Sequence, residues 1–187
     1  MIKSVLRNIF LFAFVLIFSS FIEPKLVKTK VADGIAVLIP KGWHPMDELD
    51  LRERYPSVRA PLAGYTNEDR LVDFSVNISA TQWPDGDVEL AHKFFKSSLY
   101  NLVDRVEIIE EGIREQKGKK YIFIEFESTI RGVKQEDGHQ EVILSYNYLV
   151  YLLQPDRTLT FSFHCPRRMR AEWQETARKM MEGIKVK

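Results

Sequence analysis

Apolar positions recur along this chain with two periods, two and 3.6, and these divide most of it into strands and helices. Between residues 71 and 80, Val72, Phe74, Val76, Ile78 and Ala80 are apolar, while Asp73, Ser75, Asn77 and Ser79 are polar. Successive side chains on a strand point to opposite faces, so this alternation predicts a half-buried strand. Residues 158–165 repeat it, with Leu159, Phe161, Phe163 and Cys165 against Thr158, Thr160, Ser162 and His164. Residues 26–31 and 35–39 flank Ala32-Asp33-Gly34. This reads as a hairpin with a glycine where positive φ costs little. Residues 105–115, 121–130, 142–153 and 158–165 follow one another with turns and no helix between them, which predicts an antiparallel meander. Residues 142–153 are apolar on both faces and predict a central strand covered on both sides. Residues 61–66 are a weaker strand and 46–54 a short helical turn.

The other period appears twice. After Trp83-Pro84-Asp85-Gly86 stops a strand, Asp87 stands where it can cap a helix. Ala91, Phe94, Phe95, Leu99, Leu102 and Val103 then make one apolar stripe. After Pro166, a second stripe runs through Met169, Trp173, Ala177, Met180 and Ile184, with arginines and glutamates on its other side. The expected class is α+β: an antiparallel sheet of about six or more strands sandwiched by helices, an α/β/α arrangement.

The first 25 residues break this pattern. Lys3 and Arg7 precede an uninterrupted apolar run from Ile9 to Phe18, followed by Ser19 and Ser20. That is the layout of a secretory signal peptide. Cleavage after Ser20 would place bulky Phe18 where a small residue is preferred, so an uncleaved signal anchor, with residues 9–22 as a membrane tether, is the alternative. Residues 1–25 are read as signal peptide or anchor and 26–187 as a single domain, exported to a bacterial periplasm or envelope. No cysteine follows the apolar run to take a lipid.

Composition narrows the function. The formal charge is +1. That argues against nucleic acid, whose binding draws on a strongly basic face. One cysteine precludes an internal disulfide. Four histidines and that cysteine are thin material for a metal site or a nucleophilic triad. No G-x-S-x-G, S-x-x-K, H-E-x-x-H, Walker or G-x-G-x-x-G motif is present.

The order of elements resembles a known family. A leader precedes a hairpin ending IPKGW; a helix follows WPDGD; a meander of long strands ends TLTFSFHCP and runs into a closing amphipathic helix ending GIKVK. This is similar to the PsbP-like superfamily, which includes DcrB-like envelope proteins, over about residues 26–187. The resemblance implies an α/β/α sandwich and a non-enzymatic accessory or binding role. The chain departs from lipid-anchored DcrB-like members in lacking their lipobox cysteine.

No catalytic residue, metal ligand or cofactor is assigned. His92 lacks a ligand partner one turn away, since Val88 and Lys96 stand there. His164 reads as a polar residue at a sheet margin, and Cys165 as a buried small hydrophobe. Candidates for binding are Trp43 and His44 on the turn after Pro40-Lys41-Gly42, Trp83 beside its own turn, and His139 in the charged loop 132–139, because turns and loops carry recognition. Trp43 also reads as a plug over the sheet edge. The leading expectation is an exported protein-interaction module with an unidentified envelope partner. The alternatives are a carrier of a small apolar ligand, and an enzyme with an unrecognised site.

Overall fold

The computed structural model describes residues 24–55, 60–79, 81–83, 86–133 and 140–187. The leader's apolar run, Ala80 and His139 lie outside them. Seven strands form the main sheet, in the order β3 (His44–Pro45), β4 (Ala63–Thr66), β5 (Asp73–Ser79), β9 (Thr158–Pro166), β8 (Val142–Leu153), β7 (Lys119–Arg131), β6 (Arg105–Gln116). Every neighbouring pair is antiparallel. After β5 the chain crosses to the far edge and returns strand by strand, so β9 closes against β5.

Three α-helices are present among the described residues: α1 (Glu48–Arg54), α2 (Val88–Leu102) and α3 (Arg170–Glu182). Asp47 and Asp87 cap α1 and α2 by accepting from the Asp50 and Leu90 amides at 2.8 and 2.9 Å. Helix α3 covers one face of the sheet: Trp173, Ala177 and Met180 pack with Phe74, Phe161, Phe163 and Val150. Helix α2 covers part of the other face. There Ala91 and Leu99 meet Ile122 and Ile124, and the Phe95 ring stacks on Tyr151 at 4.0 Å. The α/β/α layering and antiparallel sheet are as expected from the sequence.

Three features differ from that expectation. The opening hairpin does not join the main sheet. Strands β1 (Leu26–Ala32) and β2 (Ile35–Pro40) form a separate three-stranded sheet with β10 (Lys185–Val186). Ile35, Val37 and Ile39 bury one face of it against the same core as α3, and periodicity reports which face is buried but not which edge pairs. The apolar stripe of α2 is also narrower than predicted. Phe94, turned about 100° from Phe95, is 54% exposed, and Leu102 at the helix end is 74% exposed. Finally, β9 is the fourth strand of seven, so His164 sits mid-sheet and not at a margin.

Two charged side chains lock α3 in place. Glu125 on β7 is fully buried on the α3 side. It accepts from the Tyr146 hydroxyl at 3.0 Å, from the Gln174 amide, and from Arg178 Nε at 2.9 Å. Arg114 on β6 donates to the Met181 carbonyl at 2.6 Å, at the C-terminal turn of α3, and to the Tyr148 hydroxyl at 3.1 Å. A cation at this end also meets the negative pole of the helix dipole. The position of α3 in turn fixes Gly183, Ile184 and β10.

Candidate functional site: a lysine-rimmed groove

Three chain segments converge beside β10. The β1–β2 turn is made with Gly34 at φ 70°, and the β6–β7 turn with Lys117 at φ 53° and Gly118 at φ 73°. Both are tight reversals of the kind that positive φ permits. Between them and the residues after α3 lies a groove of about 580 Å³. Its apolar lining is Ala36 and Val186, both partly exposed, with Ile35, Tyr121 and Ile184 buried beneath them. Its rim carries Lys28, Lys30, Lys117, Lys119, Lys185 and Lys187, against one acidic side chain, Asp33. Asp33 pairs with Lys30 at 3.0 Å, and that pairing holds its carboxyl below the ordinary value.

Register explains the convergence. Lys30 and Lys185 are both cross-strand neighbours of Ala36, one on each side. Their side chains therefore rise on one face with a small residue between them, their backbones about 10 Å apart. Lys28 and Lys187 extend the same two rows by one step of two residues. Six of the 27 basic residues and one of the 26 acidic ones line the groove, so the remainder of the chain is net acidic.

The residues singled out in the sequence lie elsewhere. Trp43 is half-buried, stacked near Phe163 at 6.3 Å and against Trp173 at 5.5 Å. His44 is exposed and pairs in register with Thr66. Trp83 packs edge-on to Phe94 and Phe95 at 5.3 and 5.5 Å. His139 is outside the described residues. None of the three described candidates lines the groove. The signal that marks it is three K-x-K pairs, Lys28-Thr29-Lys30, Lys117-Gly118-Lys119 and Lys185-Val186-Lys187.

A second polar cluster sits on the half of the sheet that α2 leaves uncovered. His164 Nε2 lies 3.0 Å from Ser145 Oγ, and Asp73 is the cross-strand neighbour of His164. The composition is that of a catalytic triad, but the geometry is not. Asp73 Oδ2 accepts from Arg54 at 2.6 Å, and Oδ1 has no hydrogen-bond partner among the described residues. Ser145 is only 4% exposed. Tyr55, hydrogen-bonded to Ser75 and pushed up to about 12 by burial, closes over the same strand. The cluster ties α1 to the sheet. Cys165 is fully buried on the opposite face, its thiol pushed up to about 12 by burial. Among the described residues no three His, Cys, Asp or Glu side chains are grouped to hold a metal.

Compared by sequence, the chain matches no family model and no curated protein. Its architecture does match solved structures. Cyanobacterial PsbP (CyanoP) from Synechocystis superposes with a TM-score of 0.59 at 14% identity, over 88% of this chain and 93% of that one. The Saccharomyces cerevisiae Ran-binding protein Mog1p gives 0.54 at 14% identity, over 88% and 96%. LpqN of Mycobacterium tuberculosis, described as involved in cell envelope biogenesis, gives 0.53 at 14% identity, over 86% and 91%. At such identities the likeness concerns architecture, and by that measure this chain has the fold of the PsbP-like superfamily.

Proposed function

We propose that this chain is an exported, non-catalytic accessory domain that engages a protein partner in a bacterial envelope, with the lysine-rimmed groove as its contact surface. The observation that carries this reading is the concentration of six lysines, drawn from three separate segments, around an apolar floor. Such a surface combines buried apolar contact with electrostatic selection, as protein interfaces do. The likeness of architecture supports it from another side: one similar structure is of a Ran-binding protein and another of a protein involved in cell envelope biogenesis. Export rests on the charged, then apolar, leader. A carrier of a small apolar ligand is the second reading, since 580 Å³ is within the range of ligand pockets. The cationic rim favours an anionic occupant over an apolar one.

The test is site-specific photo-crosslinking in cells with the full-length chain. A photoreactive residue replaces Lys117 in the groove or, as a control, Lys93 on the exposed side of α2. A discrete crosslinked protein from position 117 and not from 93 is expected. Crosslinking at neither position, or equally at both, overturns the reading. A reporter fused to residues 1–25 that remains cytoplasmic overturns export.

A further inference from the structure

The groove is built for a particular shape of ligand, and this inference rests on the reading of the chain as an interaction module. Strand β10 is one of the two outer strands of the small sheet, β1 being the other. Lys185 pairs with Ala36, and the Lys187 amide donates to the Gly34 carbonyl at 3.0 Å. In an antiparallel ladder, alternate residues face the partner. The N–H and C=O of Val186, between these two, therefore point away from β2 to the groove side. The far wall is the β6–β7 turn with Gln116, Lys117 and Lys119.

We infer that the groove takes an extended acidic segment of a protein, added as a strand alongside β10, with acidic side chains at every second position. Three observations select this occupant. The free edge of β10 offers backbone hydrogen bonds that an extended peptide satisfies and a phosphate ester does not match. Lys185 and Lys187 form a K-x-K pair along the β10 row, and residues two apart on a strand are about 6.6 Å apart on one face. Glutamates or aspartates at every second position of an added strand keep that step and face Lys185 and Lys187 as cross-strand neighbours. The positions between them lie against Val186, the partly exposed apolar residue of β10, above the buried Ile184 and Tyr121. A lysine rim, unlike a planar guanidinium fork, provides point charges and imposes no bidentate geometry. The backbone edge, not the charges alone, thus sets the register.

The experiment titrates the full-length protein, purified in nonionic detergent, with fluorescein-labelled peptides of about twelve residues. One alternates glutamate and valine. A second has the same composition with the glutamates in one block. A third is the alternating peptide with N-methylated amides along one edge. Inorganic triphosphate and phosphatidylglycerol vesicles serve as competitors. The expected results are tightest binding by the alternating peptide, at least tenfold weaker binding by the block and N-methylated peptides, and slowed hydrogen exchange at the Val186 amide. A variant with Lys117, Lys119, Lys185 and Lys187 all changed to Gln should lose at least tenfold and keep its circular dichroism and melting point. Equal binding of alternating and block peptides overturns the inference, as does unaltered binding of the N-methylated peptide. So does stronger occupancy by triphosphate or vesicles than by the peptide at equal charge. If the crosslink at position 117 captures a partner while the alternating peptide fails to bind, this inference falls and the interaction reading stands.

Discussion

Replacing Glu125 by leucine should destabilise the protein more than any surface change of the same size. Glu125 is fully buried, and its two oxygens receive the Tyr146 hydroxyl, the Gln174 amide and Arg178. Leucine is close in volume, so the cavity contribution is small, and the cost is that of partners left without an acceptor. Breaking a buried charged pair by removing one member costs about 3–5 kcal/mol. Arg178 is 31% exposed and keeps Glu110 at 3.3 Å and Glu175 at 3.5 Å, so its share is reduced. The fully buried Tyr146 hydroxyl has no such recourse, at about 1 kcal/mol or more, while the partly exposed Gln174 amide can turn to water and loses less. The expected loss is about 3 kcal/mol, a fall in Tm of about 6–12 °C for a chain of this length. Glu125→Gln keeps one acceptor and should lose about half as much. Urea unfolding followed by circular dichroism measures both. A double-mutant cycle with Tyr146→Phe should show coupling of about 1 kcal/mol. A Glu125→Leu protein within 0.5 kcal/mol of the parent, at unchanged m-value, would refute the reasoning and mean that α3 is held by its apolar stripe alone.

Two further perturbations probe neighbouring parts of the fold. A Cβ added at Gly183 would lie 2.6 Å from Leu38 side-chain atoms and 3.1 Å from the Lys179 carbonyl oxygen. Gly183→Ala should therefore cost about 1–3 kcal/mol, and Leu38→Ala in the same chain should recover part of the loss; no loss, or no recovery, would contradict the packing of β2 under the end of α3. Burial lowers the His164 pKa below its ordinary 6.5, with Asp73 opposing and Arg54 reinforcing the shift. The unfolded chain then takes up the proton first as pH falls. The stabilisation is complete above about pH 6.5 and declines below it, by at most about 1.4 kcal/mol per pH unit. Urea midpoints measured from pH 7.5 to 5 should fall more steeply for the parent than for His164→Asn, and parallel profiles would disprove the assignment.

Much of the main sheet is visible in the order of residues because half-buried strands impose a period of two over many positions. The Val72–Ile78 and Leu159–Cys165 alternations needed only counting. The meander from Arg105 to Cys165 follows from short turns between consecutive strands. What eluded that reasoning has a common cause: it depends on contacts between segments distant in sequence. Lys185–Val186 is two residues long and carries no period, so the strand that draws β1 and β2 into their own sheet is invisible locally. Glu125 stands in Tyr121-Ile122-Phe123-Ile124-Glu125-Phe126, where a carboxylate reads as the solvated end of a strand face. It becomes interior only because α3 brings Gln174 and Arg178 over it. Phe94 is the converse case, an aromatic at stripe spacing that the sheet does not reach.

The groove shows the same cause acting on charge. Lysines on a strand, at a turn and after a helix are ordinarily solvated, and Lys28-Thr29-Lys30, Lys117-Gly118-Lys119 and Lys185-Val186-Lys187 read so one by one. The near-zero total conceals them further, because a local excess of cations and a dispersed excess of acids almost cancel. That cancellation is itself informative about recognition. At physiological ionic strength the Debye length is about 8 Å, so an approaching acidic segment responds to the charges nearest it and not to the chain's total. It is repelled by the net-acidic remainder and attracted at one place. Such a distribution orients a weak encounter before contact and raises its rate more than its affinity. Once contact is made, exposed lysine pairs contribute only about 0.2–1 kcal/mol each. Discrimination among acidic segments must then come from what does not depend on charge, namely the free edge of β10 and the apolar floor beneath it.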